Sequence, residues 1–549
     1  MKSSFFLLIV SLGNILLPQV EMNYSYEMQY GNGKQVIGQA SEDPYKEDYS
    51  YLENLLDINT YIGNHLYGHI QFEYSDPPIY GYNRNSIDSM LTTIYIEYSN
   101  DLYSIRLGDQ FELYGRGMSF YTFQDQNIDY DNSVMGISAN YYIHENIKLS
   151  TLFGTGEYPF RSNAAERKTD YHFDTNVGLF AIDYDNQYFG YFQTIALFQQ
   201  SLLGSNLVTD LCQDDNEIGE DLTAMLPVST SCFTLGDNTI ESNNINLNWN
   251  YSIGSLDVYI DKSWINYDKI YGDKVFGSRF YTSLYTDLFG IGITYEYKNY
   301  YTPYLIKSIS NPPIAYREGS SILASRNAHS MNFGNEIGHQ LDLNHNVFES
   351  VNVAANLSLS YRHPTGSMES VNFIDVVSMD KEETLYDYYP FRQIYMEING
   401  WTLTDRLYYK LGIDRFIELN ESKQIYATTL PTQYVLEFLN GSSLTMYLEN
   451  QTKLVKEDES NEIEYTNNYL SLSYSHHGKW ILTGFYDQEK KNGKSDRWLG
   501  SDFTYKLNTK TMLSFFYGSQ KGGLVCANGI CAEQPGFEDG VKITFRTLL

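Results

Sequence analysis

From Val20 onward, apolar and polar residues alternate along most of the chain. Ile245, Leu247, Trp249 and Tyr251 interleave with Asn244, Asn246, Asn248 and Asn250. Val351, Val353, Ala355, Leu357, Leu359 and Tyr361 interleave with Asn352, Asn356, Ser358, Ser360 and Arg362. A period of two gives a strand with one greasy and one wet face. The same rhythm marks Ile94, Ile96 and Tyr98; Leu256, Val258 and Ile260; Leu444, Met446 and Leu448; Leu470, Leu472 and Tyr474; and Val541, Ile543 and Phe545.

The connections alternate as well. Short turns are expected near Gly63-Asn64, Ser99-Asn100, His144-Glu145, Asp185-Asn186, Ser252-Ile253, Asp287-Leu288, Thr404-Asp405, Asn440-Gly441, His477-Gly478 and Asn508-Thr509. Between them lie longer polar stretches at 31–49, 76–88, 111–131, 157–172, 202–242, 265–277, 301–329, 364–390, 453–462 and 520–536. This predicts an all-β fold: a single large antiparallel transmembrane β-barrel of about 24 strands (roughly 22–26), with short periplasmic turns and long extracellular loops. It spans residues 20–549 and leaves no second domain. A soluble solenoid or stacked-sheet protein is the competing reading, but no fixed-period motif is present.

Composition agrees with the membrane reading. Of 549 residues, 52 are Tyr, and many fall near strand ends, as at Tyr24, Tyr26, Tyr30, Tyr141-Tyr142 and Tyr300-Tyr301. Tyr suits a boundary that is apolar on one side and wet on the other. With 37 Lys+Arg against 68 Asp+Glu, the net charge of −31 disfavours nucleic acid as a partner. A hydrophobic content of 42% argues against disorder.

The apolar run Phe5 to Leu17 follows Lys2 and precedes Pro18. It is shorter than the ~20 residues of a spanning helix, so residues 1–19 read as a signal peptide, though no clear A-x-A site precedes Val20. The expected location is the outer membrane of a Gram-negative-type bacterium, with outer-membrane lipid around the barrel.

If the apolar face meets lipid, the other faces the lumen. By parity this lining includes Glu97, Asp257, Asp261, Glu296, Lys298, Arg362, Glu397, Glu449, Lys542 and Arg546. Some 24 strands left open would form a wide leak, so loops or a partner must close it. Strands begin within a few residues of the signal peptide. That leaves no room for the N-terminal plug of a TonB-dependent receptor or the extra domains of a pilus usher.

One segment breaks the alternation: Arg106-Leu-Gly-Asp-Gln-Phe-Glu-Leu-Tyr-Gly-Arg-Gly-Met118. Gly115 and Gly117 flank Arg116 and permit a backbone kink. An acidic stretch follows, with Asp125, Asp129 and Asp131. By strand count this is the third external loop, joining the fifth and sixth strands, the position at which general porins fold a loop inward. One reading sets Arg116 against Asp109, Glu112 or Asp125 across a constriction. The other is a glycine-kinked hairpin with a structural Arg–carboxylate pair.

The four cysteines would lie in an oxidising compartment. The local pairing, Cys212 with Cys232 and Cys526 with Cys531, keeps each disulfide within one external loop. No histidine lies beside either pair, so a metal site is disfavoured. Asp214, Asp215, Glu217, Glu220 and Asp221 could bind Ca²⁺ or form a solvated acidic loop. The ten His do not cluster; His65 and His69, four residues apart, would be ~13 Å apart in a strand. No enzyme and no cofactor are expected.

The chain resembles uncharacterised Bacteroidetes-type outer-membrane β-barrels of porin-like kind. The resemblance rests on Gly108-Asp-Gln-Phe-Glu-Leu-Tyr-Gly-Arg-Gly117, on Asp131-Asn132 and on Gly522-Gly-Leu-Val-Cys-Ala-Asn-Gly-Ile-Cys531. It implies a fold and a location and carries no assigned activity. The functional expectation is a channel for small hydrophilic solutes with a loop-borne constriction and, from its acidity, a bias toward cations. The alternative is a non-conducting scaffold that docks an exported or surface partner through loops 202–242, 301–329 and 364–390. An outer-membrane hydrolase is a weaker third.

Overall fold

The computed structural model describes residues 20–37, 45–78, 81–82, 90–126, 130–161, 169–203, 239–268, 275–302, 309–319, 321–327, 329, 331, 334–363, 388–419, 423–456, 461–527, 530–534 and 536–548. The signal-peptide segment 1–19, Asp129, Cys212, Cys232 and the acidic residues 214–221 lie outside the described residues.

Twenty-five strands belong to one sheet, and one of them is the two-residue piece Gly81–Tyr82. The other 24 pair antiparallel with their neighbours in chain order. The wall closes where the first strand, Val20–Ile37, pairs with the last, Gly536–Leu548. Closure leaves no open edge, as a sheet surrounded by hydrocarbon requires.

The strand Thr239–Ile253 shows why this sequence makes a wall with a greasy outside. Ile245 and Leu247 are 54% and 45% exposed, whereas Asn246 and Asn248 between them are 0% and 4% exposed. A water-soluble sheet would reverse that assignment. In register, Ile245 lies beside Ala196 on one side and Trp264 on the other, and Asn246 lies beside Ser263. Like therefore neighbours like across strands: apolar pairs outside, hydrogen-bonding pairs inside. Ile94 and Ile96, Met396 and Ile398, and Leu470 and Leu472 continue the exposed apolar belt.

The turns fall where the pattern places them, with one addition at Glu349-Ser350, between Asn335–Phe348 and Val351–Tyr361. The opposite end is less uniform than short-then-long alternation predicts. Strands Trp480–Lys491 and Lys494–Lys506 are joined there by Asn492-Gly493 alone. Both residues have positive φ, 47° and 86°, the conformation in which an Asn-Gly pair makes a two-residue hairpin.

Two connections turn into the lumen through their described residues, 111–126 and 130–133 in the first and 309–319, 321–327, 329 and 331 in the second. Their buried side chains join inward-facing residues of the wall in one apolar cluster. It contains Met118 from the first loop, Ala315, Tyr316 and Met331 from the second, and Tyr259, Tyr281, Tyr300, Phe391 and Phe416 from the strands. The tyrosines accordingly divide between two places. Tyr61, Tyr141, Tyr142 and Tyr188 are exposed near the short turns, while Tyr281, Tyr300 and Tyr395 lie at 2% exposure or less inside the barrel.

Candidate functional site

The first inward loop leaves the strand Tyr103–Gln110 and begins with the kink its glycines foreshadow. Gly115, Arg116 and Gly117 form a single 3-10 turn with φ of 59°, 45° and 84°. A Cβ on Gly117 would lie 2.2 Å from the Asn311 carbonyl oxygen, so that position requires glycine for space as well as for φ. The turn is seated on the far wall: Gly115 N–H donates to Gln193 Oε1 at 3.1 Å.

The acidic residues singled out in the sequence are not gathered around Arg116. Asp109 is fully buried; its carboxylate accepts from the Ile94 N–H at 2.7 Å and from Ser133 Oγ at 3.4 Å. Asp131 accepts from the Ser133 N–H at 2.8 Å. Asp125 pairs through its backbone with Tyr130 in a small hairpin. Burial pushes the Glu112 carboxyl above the usual carboxylate range, with Arg106 partly offsetting it. Buried carboxylates near a bent backbone satisfy the N–H groups that the bend leaves over; Asp131 does this within its own loop, and Asp109 does it for Ile94 on the neighbouring strand.

Arg116 instead lies over the ring of Tyr259, 3.8 Å from its centroid, and reaches Tyr281 Oη at 3.5 Å. It is exposed to the lumen and makes no ion pair among the described residues. The expected facing of Arg116 and a loop carboxylate is therefore replaced by a guanidinium on an aromatic platform contributed by two distant strands.

The second loop is held to the wall by charged contacts. Lys298 on the strand Ile291–Tyr301 donates to the Ile314 carbonyl and to Glu336 Oε1, the latter at 2.6 Å, with both side chains buried. His329 bridges two carboxylates, Glu418 at 2.6 Å through Nδ1 and Glu336 at 3.3 Å through Nε2. Its ring stacks on Phe391 at 4.2 Å. Burial alone would lower the His329 pKa, but the two carboxylates outweigh burial and raise it to about 9.

Farther along, the short helix Ile322–Ser325 points its first N–H groups at Glu449 on the strand Ser443–Lys456. The carboxylate accepts from Ser321 Oγ, Ile322 N and Leu323 N at 2.9, 2.7 and 2.8 Å. Next to it, Arg326 grips Asp487 with both terminal nitrogens, at 3.2 and 2.5 Å, the two-pronged geometry that Arg and carboxylate share. The loop thus runs from Lys298 and Glu336 to strands well around the wall.

The two loops touch. Asn311 N–H donates to the Gly117 carbonyl at 3.1 Å. Arg279, on the strand Val275–Leu288, holds both from below: its Nη1 donates to the Met118 carbonyl at 2.6 Å and to Ser310 Oγ at 3.2 Å. Arg279, His329, Glu336, Glu418 and Asp487 were not singled out in the sequence, although Lys298 and Glu449 were placed in the lumen by parity. A usable signal was present: Ile309, Tyr316, Leu323 and Met331 are apolar residues in a connection that should otherwise be wet, and all four are buried.

Of the proposed disulfides, only Cys526 and Cys531 fall among the described residues. Their backbones face each other across the hairpin of Gly523–Ala527 and Ile530–Gln534.

A closed wall of 24 strands, greasy outside and polar within, defines the class as an outer-membrane β-barrel fold. The chain belongs to DUF6029, a family of unknown function whose model matches residues 1–179 and 293–548. Among curated proteins none matches this sequence. Solved structures similar to it include the siderophore receptor PirA from Pseudomonas aeruginosa, at 8% identity and a TM-score of 0.44, covering 96% of this chain and 80% of that one. The copper transporter OprC is similar at 8% identity and 0.45, covering 97% and 80%. The P pilus usher PapC translocation pore is similar at 10% identity and 0.39, covering 96% and 99%.

Proposed function

We propose that the protein is a porin-type channel of the Gram-negative-type outer membrane, passing small hydrophilic solutes through a lumen narrowed by its own two loops. The observation that carries this reading is the junction of the loops inside the barrel, Asn311 to Gly117, with both held on Arg279. A polar, charged lining holds water, and a wide barrel needs a constriction if it is to select. Arg116, exposed on its aromatic platform, is the cation a passing solute meets at that constriction. Residues 1–19 act as the export signal, and Cys526 and Cys531 form a disulfide in the oxidising space outside. The likeness to Bacteroidetes-type barrels belongs to the same reading. The test is planar-bilayer recording of the purified, folded barrel: discrete single-channel steps support it, and silence from folded protein contradicts it.

The anchoring of the second loop favours a second reading. Glu449, Asp487, Glu336 and Glu418 hold Ser321, Arg326 and His329 of the second loop through charged contacts, which suits a permanent stopper. Under that reading the barrel is a non-conducting scaffold that docks an exported or surface protein. A stoichiometric protein partner co-purifying from native membranes, together with silent bilayers, would favour it over the channel.

A further inference from the structure

Beside the junction of the two loops is a small, partly open cavity, of a size for a single small ion. Its floor is the inner wall, with Gln199, Ser242, Asn244 and Tyr267 among apolar Leu197, Ile240 and Ile265; its roof is Ser119 of the first loop and Ser310 of the second. Arg279 closes one side. Among the described residues no carboxylate lines it.

Arg279 is 3% exposed, and among the described residues no carboxylate oxygen lies within the 4.0 Å that defines an ion pair. Its Nη1 is used by Met118 and Ser310, but among the described residues Nε has no hydrogen-bond partner, and neither has Ser119 Oγ, which is 1% exposed. Asn244 accepts from Ser263 Oγ through its amide oxygen, which leaves its NH₂ as a donor on the cavity wall. Asp261 acts on the guanidinium only from beyond ion-pair distance, and a buried guanidinium that lacks a direct ion pair is unfavourable, as is a buried hydroxyl without a partner. Arg279, Ser119, Asn244 and Ser242 are donors converging on one space with no acid among them.

We propose that this cavity binds one small oxyanion, a tetrahedral sulfate or phosphate or a planar carboxylate, with Arg279 as its counter-charge and Ser119, Ser242 and Asn244 as hydrogen-bond donors. The bound anion neutralises the guanidinium that holds both loops and touches the first loop through Ser119, so its occupancy stiffens the plug. The inference does not depend on whether the barrel conducts.

The test uses the full-length folded barrel in detergent, in chloride-free buffer, titrated calorimetrically with sodium sulfate, sodium phosphate and sodium acetate. The expected result is saturable binding of at least one anion, one per chain. Sulfate and phosphate binding without acetate marks a tetrahedral site, and the reverse marks a carboxylate site. Ser242→Leu fills the cavity without removing any hydrogen bond seen in the fold, so it should abolish binding while the heat-modifiable gel mobility of the barrel stays unchanged. Arg279→Gln should also abolish binding. Saturable binding that survives in Ser242→Leu, or no saturable binding of any of the three anions up to roughly 10 mM, overturns the proposal.

Discussion

The backbone N–H of Asn311 donates to the carbonyl of Gly117 at 3.1 Å, and this bond joins two loops whose strands are separated by most of a half-turn of the wall. Gly117→Ala places a Cβ 2.2 Å from the Asn311 oxygen in a left-handed backbone. The strain of that backbone alone is about 1–3 kcal/mol, and the contact adds to it. The loops should separate while the wall, paired throughout by its own strands, stays closed. The expected outcome is unchanged heat-modifiable mobility with faster proteolysis within 111–133 or 302–334. Unchanged proteolysis would mean that the junction is not a point of closure.

Glu449 accepts three hydrogen bonds from the start of the helix Ile322–Ser325. Glu449→Ala leaves those donors unmet in a buried place, at about 1–3 kcal/mol for each group left unsatisfied. Hydrogen exchange at Ile322 and Leu323 should rise by at least tenfold, with exchange in the strand Ser443–Lys456 little changed. Equal loosening of the strand would indicate damage to the wall instead of release of the loop.

His329 ties the second loop to Glu336 and Glu418 in its charged form. Its pKa in the folded protein is about 9, above the ~6.5 of an unfolded histidine. A raised pKa means stabilisation that is complete below about 6.5 and is lost as pH rises through about 9. Protease resistance of residues 302–334 should therefore fall between pH 7 and pH 10, and His329→Gln should flatten that dependence. A loop that tightens with rising pH would contradict the assignment.

Arg116 is an exposed charge resting on Tyr259, and such a contact contributes about 0.5–1 kcal/mol. Arg116→Ala should leave stability almost untouched and shift the reversal potential in a salt gradient toward stronger cation selectivity. Asp125→Ala should shift it less, because Asp125 belongs to a local hairpin. Identical reversal potentials for wild type and Arg116→Ala would remove Arg116 from the path of ions.

The wall was legible because each strand repeats one rule. Ile245 out and Asn246 in needs only the next residue to be seen, and twenty-odd repeats reinforce one another. The plug follows no local rule. Ser321 meets Glu449 across 128 positions and Arg326 meets Asp487 across 161, and nothing in the spacing of either pair announces the contact. Arg116 shows the same limit: sequence neighbours offered it carboxylates, but the kink at Gly115 and Gly117 carried it to Tyr259 and Tyr281. A subtler trace was readable. Leu197, Ile240 and Ile265 put apolar side chains on the wet face, and all three are about 5% exposed. Apolar residues on a lumen wall imply something packed against them, and here that is where Ser119 and Ser310 of the two loops sit.

The central claim is that the described residues of the second loop, from Ile309 to Met331, narrow a lumen that would otherwise be wide. Replacing 303–333 by a short Gly-Ser turn, leaving both flanking strands intact, and measuring single-channel conductance in planar bilayers tests it directly. The account predicts small or gated steps from the wild-type barrel and a several-fold larger, steady conductance from the shortened one, with unchanged heat-modifiable mobility. Equal conductance from the two folded barrels would contradict it.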